Sequence, residues 1–124
     1  MSAGPRSDPD VQRVARDTAA GLPKATSGYP FTEHLQVWKV AGKVFLIVTE
    51  GDPDLRIITV KVDPDDGDAL RHGYESVGRG HYLNKRHWIS VAAGPGITPV
   101  FVEELVQDSY ELARAQLPVK DRPE

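Results

Sequence analysis

The sequence predicts an α+β domain, a two-layer sandwich with a mainly antiparallel sheet of about four to five strands and the N- and C-terminal helices packed on one face. Apolar residues recur at helical spacing near the start of the chain, between residues 11 and 22, and near its end, between residues 102 and 113. Between these two segments lie short runs of β-branched and aromatic residues, separated by glycine and proline.

The first helix is predicted over residues 9–20. Asp8 supplies an N-cap and Pro9 a first-turn proline, while Gly21 and Pro23 end the helix. Residues 1–7 are small, polar or proline and are expected to be a disordered lead. We therefore expect one domain over residues 8–118, followed by a flexible tail over residues 119–124.

Three strands are predicted next, over residues 35–40, 43–49 and 55–62. Ala41-Gly42 is a two-residue hairpin signal, so the strands should form an antiparallel meander. The middle strand is apolar on both faces, which indicates a position inside the sheet with the other two strands beside it.

The second half of the chain continues with a short helix, a strand and a long helix. Asp63-Pro64 begins the short helix and Gly73 ends it, residues 88–91 form the strand, and Thr98-Pro99 caps the long helix. The apolar face of the long helix should cover the sheet, and it consists of Val102, Leu105, Val106, Ser109, Leu112 and Ala113.

The composition excludes several classes of protein. The 124-residue chain contains no cysteine, which excludes disulfides, thiolate metal sites and a cysteine nucleophile. No apolar run approaches the ~20 residues that span a bilayer, and the N-terminus lacks a hydrophobic signal core. We expect a cytoplasmic protein with no membrane partner, monomeric by default.

One basic segment lies in an otherwise acidic chain. Residues 76–102 contain no Asp or Glu and carry a charge of +3 from Arg79, Lys85 and Arg86, whereas the rest of the chain carries −6. Such an asymmetry is typical of an electrostatic binding face.

The chain resembles the MmcQ/YjbR-like family from about Val11 to Leu117. The resemblance rests on Gly21-Leu22-Pro23, Pro30-Phe31, residues 37–45, residues 60–64, Tyr74, residues 81–91, Ser109-Tyr110 and Leu117-Pro118. It implies a frataxin-like, CyaY-type fold. Because the hairpins of the family look like a double wing, it also implies DNA binding by fold-level analogy.

The leading hypothesis is a non-enzymatic protein that binds DNA with low sequence specificity. Lys and Arg are phosphate ligands, and an exposed tyrosine can stack on bases, whereas Trp88 is expected in the core. The predicted binding residues are Lys39, Arg79, His81, Tyr82, Asn84, Lys85, Arg86 and His87.

Two alternatives stay open. The same segment could dock an acidic protein, or the protein could handle metal as frataxins do, because residues 50–68 carry seven acids and a net charge of −5. No zinc or calcium spacing, nucleophile elbow or phosphate loop is present. We therefore expect no metal site, no cofactor and no catalytic residue.

Overall fold

Nine helices and strands are found in the part of the chain that the computed structural model describes, residues 10–51, 55–80, 84 and 86–122. In chain order they are α1 (Val11–Ala20), β1 (Ala25–Gly28), β2 (Leu35–Val40), β3 (Lys43–Thr49), β4 (Ile58–Lys61), α2 (Pro64–Gly73), β5 (Val77–Arg79), β6 (Trp88–Val91) and α3 (Pro99–Ala115). A 3-10 turn, Val119–Asp121, follows α3.

The six strands form one open antiparallel sheet in the order β1-β2-β3-β4-β6-β5. The predicted meander is confirmed, since β3 lies between β2 and β4. β3 is buried from Phe45 to Thr49, as its apolar run requires.

The helices pack on one face of this sheet. Trp38, Leu46, Val60 and Ile89 are successive partners across β2, β3, β4 and β6, so their side chains share a face. All four belong to the hydrophobic core together with apolar residues of α1 and α3. α2 also lies on this side, because a Cβ at Gly67 would stand 3.0 Å from Val62 and 3.6 Å from Ile89.

The strand count and two boundaries differ from the sequence prediction. β1 and β5 were not predicted, because Ala25–Gly28 is made of small residues and Val77–Arg79 is three residues long. Both are edge strands, and each is stabilised by hydrogen bonds to a single neighbouring strand. The strand predicted over residues 55–62 is also shorter, since β4 runs from Ile58 to Lys61.

The helix ends follow the predicted capping logic with two corrections. α1 begins at Val11, and its N-cap is Asp10, whose carboxylate accepts from the Arg13 N–H, so the prediction of Asp8 as the cap was wrong. Asp63 occupies the cap position of α2 without a side-chain cap bond. Thr98 does cap α3, where its hydroxyl accepts from the Phe101 N–H.

Ser109 ties α3 into the sheet. Continuing the Leu46–Val60 register by one residue makes Phe45 and Lys61 opposite each other on β3 and β4. The Phe45 carbonyl and the Lys61 N–H are joined through the Ser109 hydroxyl and not directly. The hydroxyl donates to the carbonyl at 2.6 Å and accepts from the N–H at 2.8 Å. The adjacent Tyr110 ring packs edge-on against Phe45 at 5.3 Å, and its hydroxyl donates to the Pro23 carbonyl.

α1 is held at the other end of the sheet by polar contacts. The Gln12 amide donates to the carbonyls of Thr49 and Ile57. Arg16 donates to Gln36 and pairs with Glu50, which also accepts from the Tyr29 hydroxyl.

Ser109→Ala should lower the free energy of unfolding by about 1–3 kcal/mol, because it leaves a buried carbonyl and a half-buried N–H without the hydroxyl that joins them. Chemical denaturation of the purified variant measures the loss. Ser76→Ala is the matched control, since it removes an exposed hydroxyl bond to the Ala93 carbonyl and should change stability by less than about 0.5 kcal/mol. Equal effects of the two substitutions would show that the bridge is unimportant.

Candidate functional site

Basic residues from separate parts of the sequence lie along one end of the sheet. β2 ends and β3 begins at the Ala41-Gly42 turn, where both residues have positive φ, as a tight two-residue hairpin requires. β4 and β5 end, and β6 begins, at the same end. We call this end, with Lys39, Lys43, Lys61, Arg79, Asn84, Arg86 and His87, the basic end.

The predicted residues of the basic segment are exposed where they can be described. Arg79 stands at the end of β5, and Asn84, Arg86 and His87 precede β6. The Asn84 side chain accepts from the Arg86 N–H at 2.9 Å, a local turn bond. His81, Tyr82 and Lys85 lie outside the described residues, so their predicted roles stay predictions.

Lys39 lies at the same end as Arg79 but is distant across the sheet. Four strand spacings separate β2 from β5, which is ~19 Å at the usual interstrand distance of ~4.8 Å. Lys43 and Lys61 on the intervening strands fill part of this gap. Sequence reasoning missed both, although aligning the ends of the predicted strands would have placed them beside Lys39.

Lys61 and Trp88 form the best-defined pair of this site. They are cross-strand partners, and the Lys61 ammonium stands 5.5 Å from the centroid of the Trp88 ring. The ring is only 7% exposed and lies outside the main core cluster. A Cβ at Gly80 would stand 2.7 Å from that of Trp88, so glycine permits this close approach. The expected burial of Trp88 is confirmed, but its expected place in the core is wrong, because the ring lies on the helix-free side of the sheet. The burial leaves little ring surface for a base to stack on.

The pKa of Lys61 is lowered from its ordinary value. Burial disfavours the charged form, and the like charge of Lys43 disfavours it further. These lysines are therefore close enough to repel each other, and an anion placed between them would relieve that repulsion.

The basic end has no carboxylate partners of its own within the described residues. Arginines on the helices do have them: Arg13 pairs with Asp17, Arg71 with Asp68 and Arg114 with Glu111. By contrast, no ion pair in the described ranges involves the basic-end cations Lys39, Lys43, Lys61, Arg79 or Arg86.

The described ranges contain no group of three or more His, Cys, Asp or Glu side chains that could hold a metal ion. None of the helices there has the length and apolar character needed to cross a bilayer.

The fold and this site define a class: an α+β protein with helices on one face of an open antiparallel sheet and a basic end whose cations form no ion pair within the described residues. The chain belongs to the YjbR family, whose model matches residues 20–112.

Relatives support the family and the fold. The chain is 32% identical over 114 residues to the uncharacterized protein YbdF of Escherichia coli O157:H7, covering 90% of this chain and 91% of YbdF. The crystal structure of Deinococcus radiodurans DR2400, described with a DUF419 domain, superposes with a TM-score of 0.77 at 26% identity, covering 86% of this chain and 80% of that one. A Pseudomonas syringae protein of 22% identity shares the fold, with a TM-score of 0.66 and coverage of 79% and 94%.

Lys43→Gln should raise the pKa of Lys61, because removing a like charge favours protonation of the remaining ammonium. Burial stays in place, so the pKa should still lie below its ordinary value. An NMR titration with side-chain-labelled lysine measures it. Arg56→Gln, at the opposite end of the sheet, is the control and should leave the pKa unchanged. An unchanged pKa of Lys61 in the Lys43→Gln variant would mean that the two ammonium groups are too far apart to interact.

Proposed function

We propose that this protein is a non-enzymatic binding protein whose basic end holds DNA with low sequence specificity. One observation carries the proposal: Lys39, Lys43, Lys61, Arg79 and Arg86 gather at one end of the sheet and form no ion pair within the described residues. A polyanion supplies many negative charges at once and releases its own counterions when it binds.

The chemistry of these residues favours phosphate contacts over base reading. Lysine is a mobile point charge that follows a phosphate backbone, and arginine can grip a phosphate with two N–H groups. The Asn84 amide oxygen is engaged by the Arg86 N–H, which competes with contact to a base edge. Trp88 is 7% exposed, which argues against base stacking.

The two hairpins support a duplex as the ligand. The strand ends at which β2 is joined to β3 and β5 to β6 lie at the same end of the sheet, and the two pairs of strands are about three strand spacings or ~14 Å apart. This separation is similar to the ~12 Å width of the major groove, so two hairpins could contact phosphates on both of its sides. It also fits the double-wing arrangement that the family resemblance implies.

The triple substitution Lys39→Gln/Lys43→Gln/Lys61→Gln should weaken duplex binding and reduce its salt dependence. Five phosphate contacts predict a slope of log affinity against log salt of about −4.5, and each lost contact removes about 0.9, which leaves about −1.8. Fluorescence anisotropy with a labelled duplex, measured over a series of salt concentrations, gives both slopes.

A matched control keeps the same change of net charge. Arg13→Gln/Arg56→Gln/Lys120→Gln removes three exposed cations outside the basic end and should leave the slope near that of the parent protein. No duplex binding by the parent protein at low salt would remove DNA from the proposal. Binding of polyglutamate, lost in the first triple variant and kept in the second, would then favour an acidic protein partner.

A further inference from the structure

A groove between α2 and α3 has an apolar floor. It encloses about 270 Å³ and is lined by residues of both helices and by the segment that joins β4 to α2. Leu70 of α2 and Phe101 and Leu112 of α3 line it and remain half-buried, while Leu105 beneath them is buried. The Phe101 ring is fixed in place by stacking on Tyr74 at a centroid distance of 4.7 Å. This apolar surface is therefore held open by packed side chains.

Four carboxylates surround the apolar floor. Asp63 and Asp66 lie at the start of α2, and Glu104 and Asp108 follow each other by one turn of α3. No ion pair involving any of the four occurs in the described part of the chain. Asp63 also makes no capping hydrogen bond with its side chain. The rim is therefore an acidic surface whose carboxylates have no cationic partner among the described residues.

Lys61 also lines the groove but does not cancel this charge. Its ammonium lies over the Trp88 ring, and the neighbouring charge that shifts its pKa is that of Lys43. Trp88 and Lys61 are cross-strand partners on the helix-free side of the sheet, because the preceding pair, Val60 and Ile89, faces the helices. The ammonium thus lies over the ring and forms no ion pair with the four carboxylates in the described ranges.

We propose that this groove docks a short basic amphipathic segment of a partner protein, with apolar side chains on the floor and Lys or Arg side chains against the four carboxylates. Charge complementarity identifies the occupant, since nucleic acid and acidic peptides are repelled by the rim. An amphipathic helix laid in a groove presents apolar anchors at i, i+3 or i+4, and i+7, with cations beside them. The groove is distinct from the basic end, so this docking goes beyond the proposed DNA binding.

A labelled peptide of leucine and lysine tests the proposal directly. The probe has about 14 residues, with leucines at helical spacing on one face and lysines elsewhere. We expect anisotropy to show saturable binding, and amide shifts of the protein to move in α2 and α3. Glu104→Gln/Asp108→Asn should weaken binding about tenfold, which corresponds to about 1.4 kcal/mol. Leu112→Ala should weaken it as well, because it removes part of the floor.

The matched control is Glu103→Gln/Asp121→Asn, which changes the net charge equally at exposed positions that do not line the groove. It should bind the peptide as the parent protein does. Thermal unfolding of each variant separates lost binding from lost folding. Equal weakening by both double variants, equal binding of a leucine-free polylysine peptide, or self-association of the protein through α2 and α3 would each overturn the proposal. Duplex binding by Glu104→Gln/Asp108→Asn should be unimpaired, so this test stands apart from that of the basic end.

Discussion

The Ser109 hydroxyl is the contact on which the arrangement of the molecule depends. It stands between the Phe45 carbonyl and the Lys61 N–H, where a direct bond between β3 and β4 would otherwise form. A buried hydroxyl that both donates and accepts there fixes the rotation of α3 about its axis. Tyr110 is consequently placed against Phe45 and the Pro23 carbonyl, which ties the loop after α1 to the same helix. Because the bridge includes the backbone of Lys61, the core and the basic end share one anchor.

The spacing of apolar residues predicted the elements that bury a continuous apolar run or face. β3 is apolar on both faces and α3 repeats apolar residues at helical spacing, so the bounds of β3 and the start and buried face of α3 followed from local pattern. β1 and β5 could not be found in this way, because small or few residues become strands there only through the neighbour that supplies their hydrogen bonds. The candidate site, too, could be predicted only in part, because strand register brings some of its residues together. Arg79 and Arg86 are near each other in sequence, whereas Lys43 and Lys61 join them only through strand register.

Opposite charges lie close together along β4 without cancelling each other. Lys61 and Asp63 are two residues apart, yet the lysine ammonium lies over Trp88 on the helix-free side, whereas Asp63 lines the groove beside α3. The strand and the helices that it supports thus separate two surfaces of opposite sign. The net charge of −3 conceals this division, since it averages a basic end and an acidic groove that different ligands would recognise.

The pairing of Arg16 with Glu50 has a consequence for how the molecule meets a charged partner. Arg16 at that end of the sheet is neutralised by Glu50, whereas no ion pair within the described residues involves Lys39, Lys43, Lys61, Arg79 or Arg86 at the other end. A polyanion that reaches the basic end therefore meets several cations that it can neutralise, whereas one that reaches Arg16 meets a cation already matched by a carboxylate. A first contact with the basic end would consequently last longer than a first contact with Arg16.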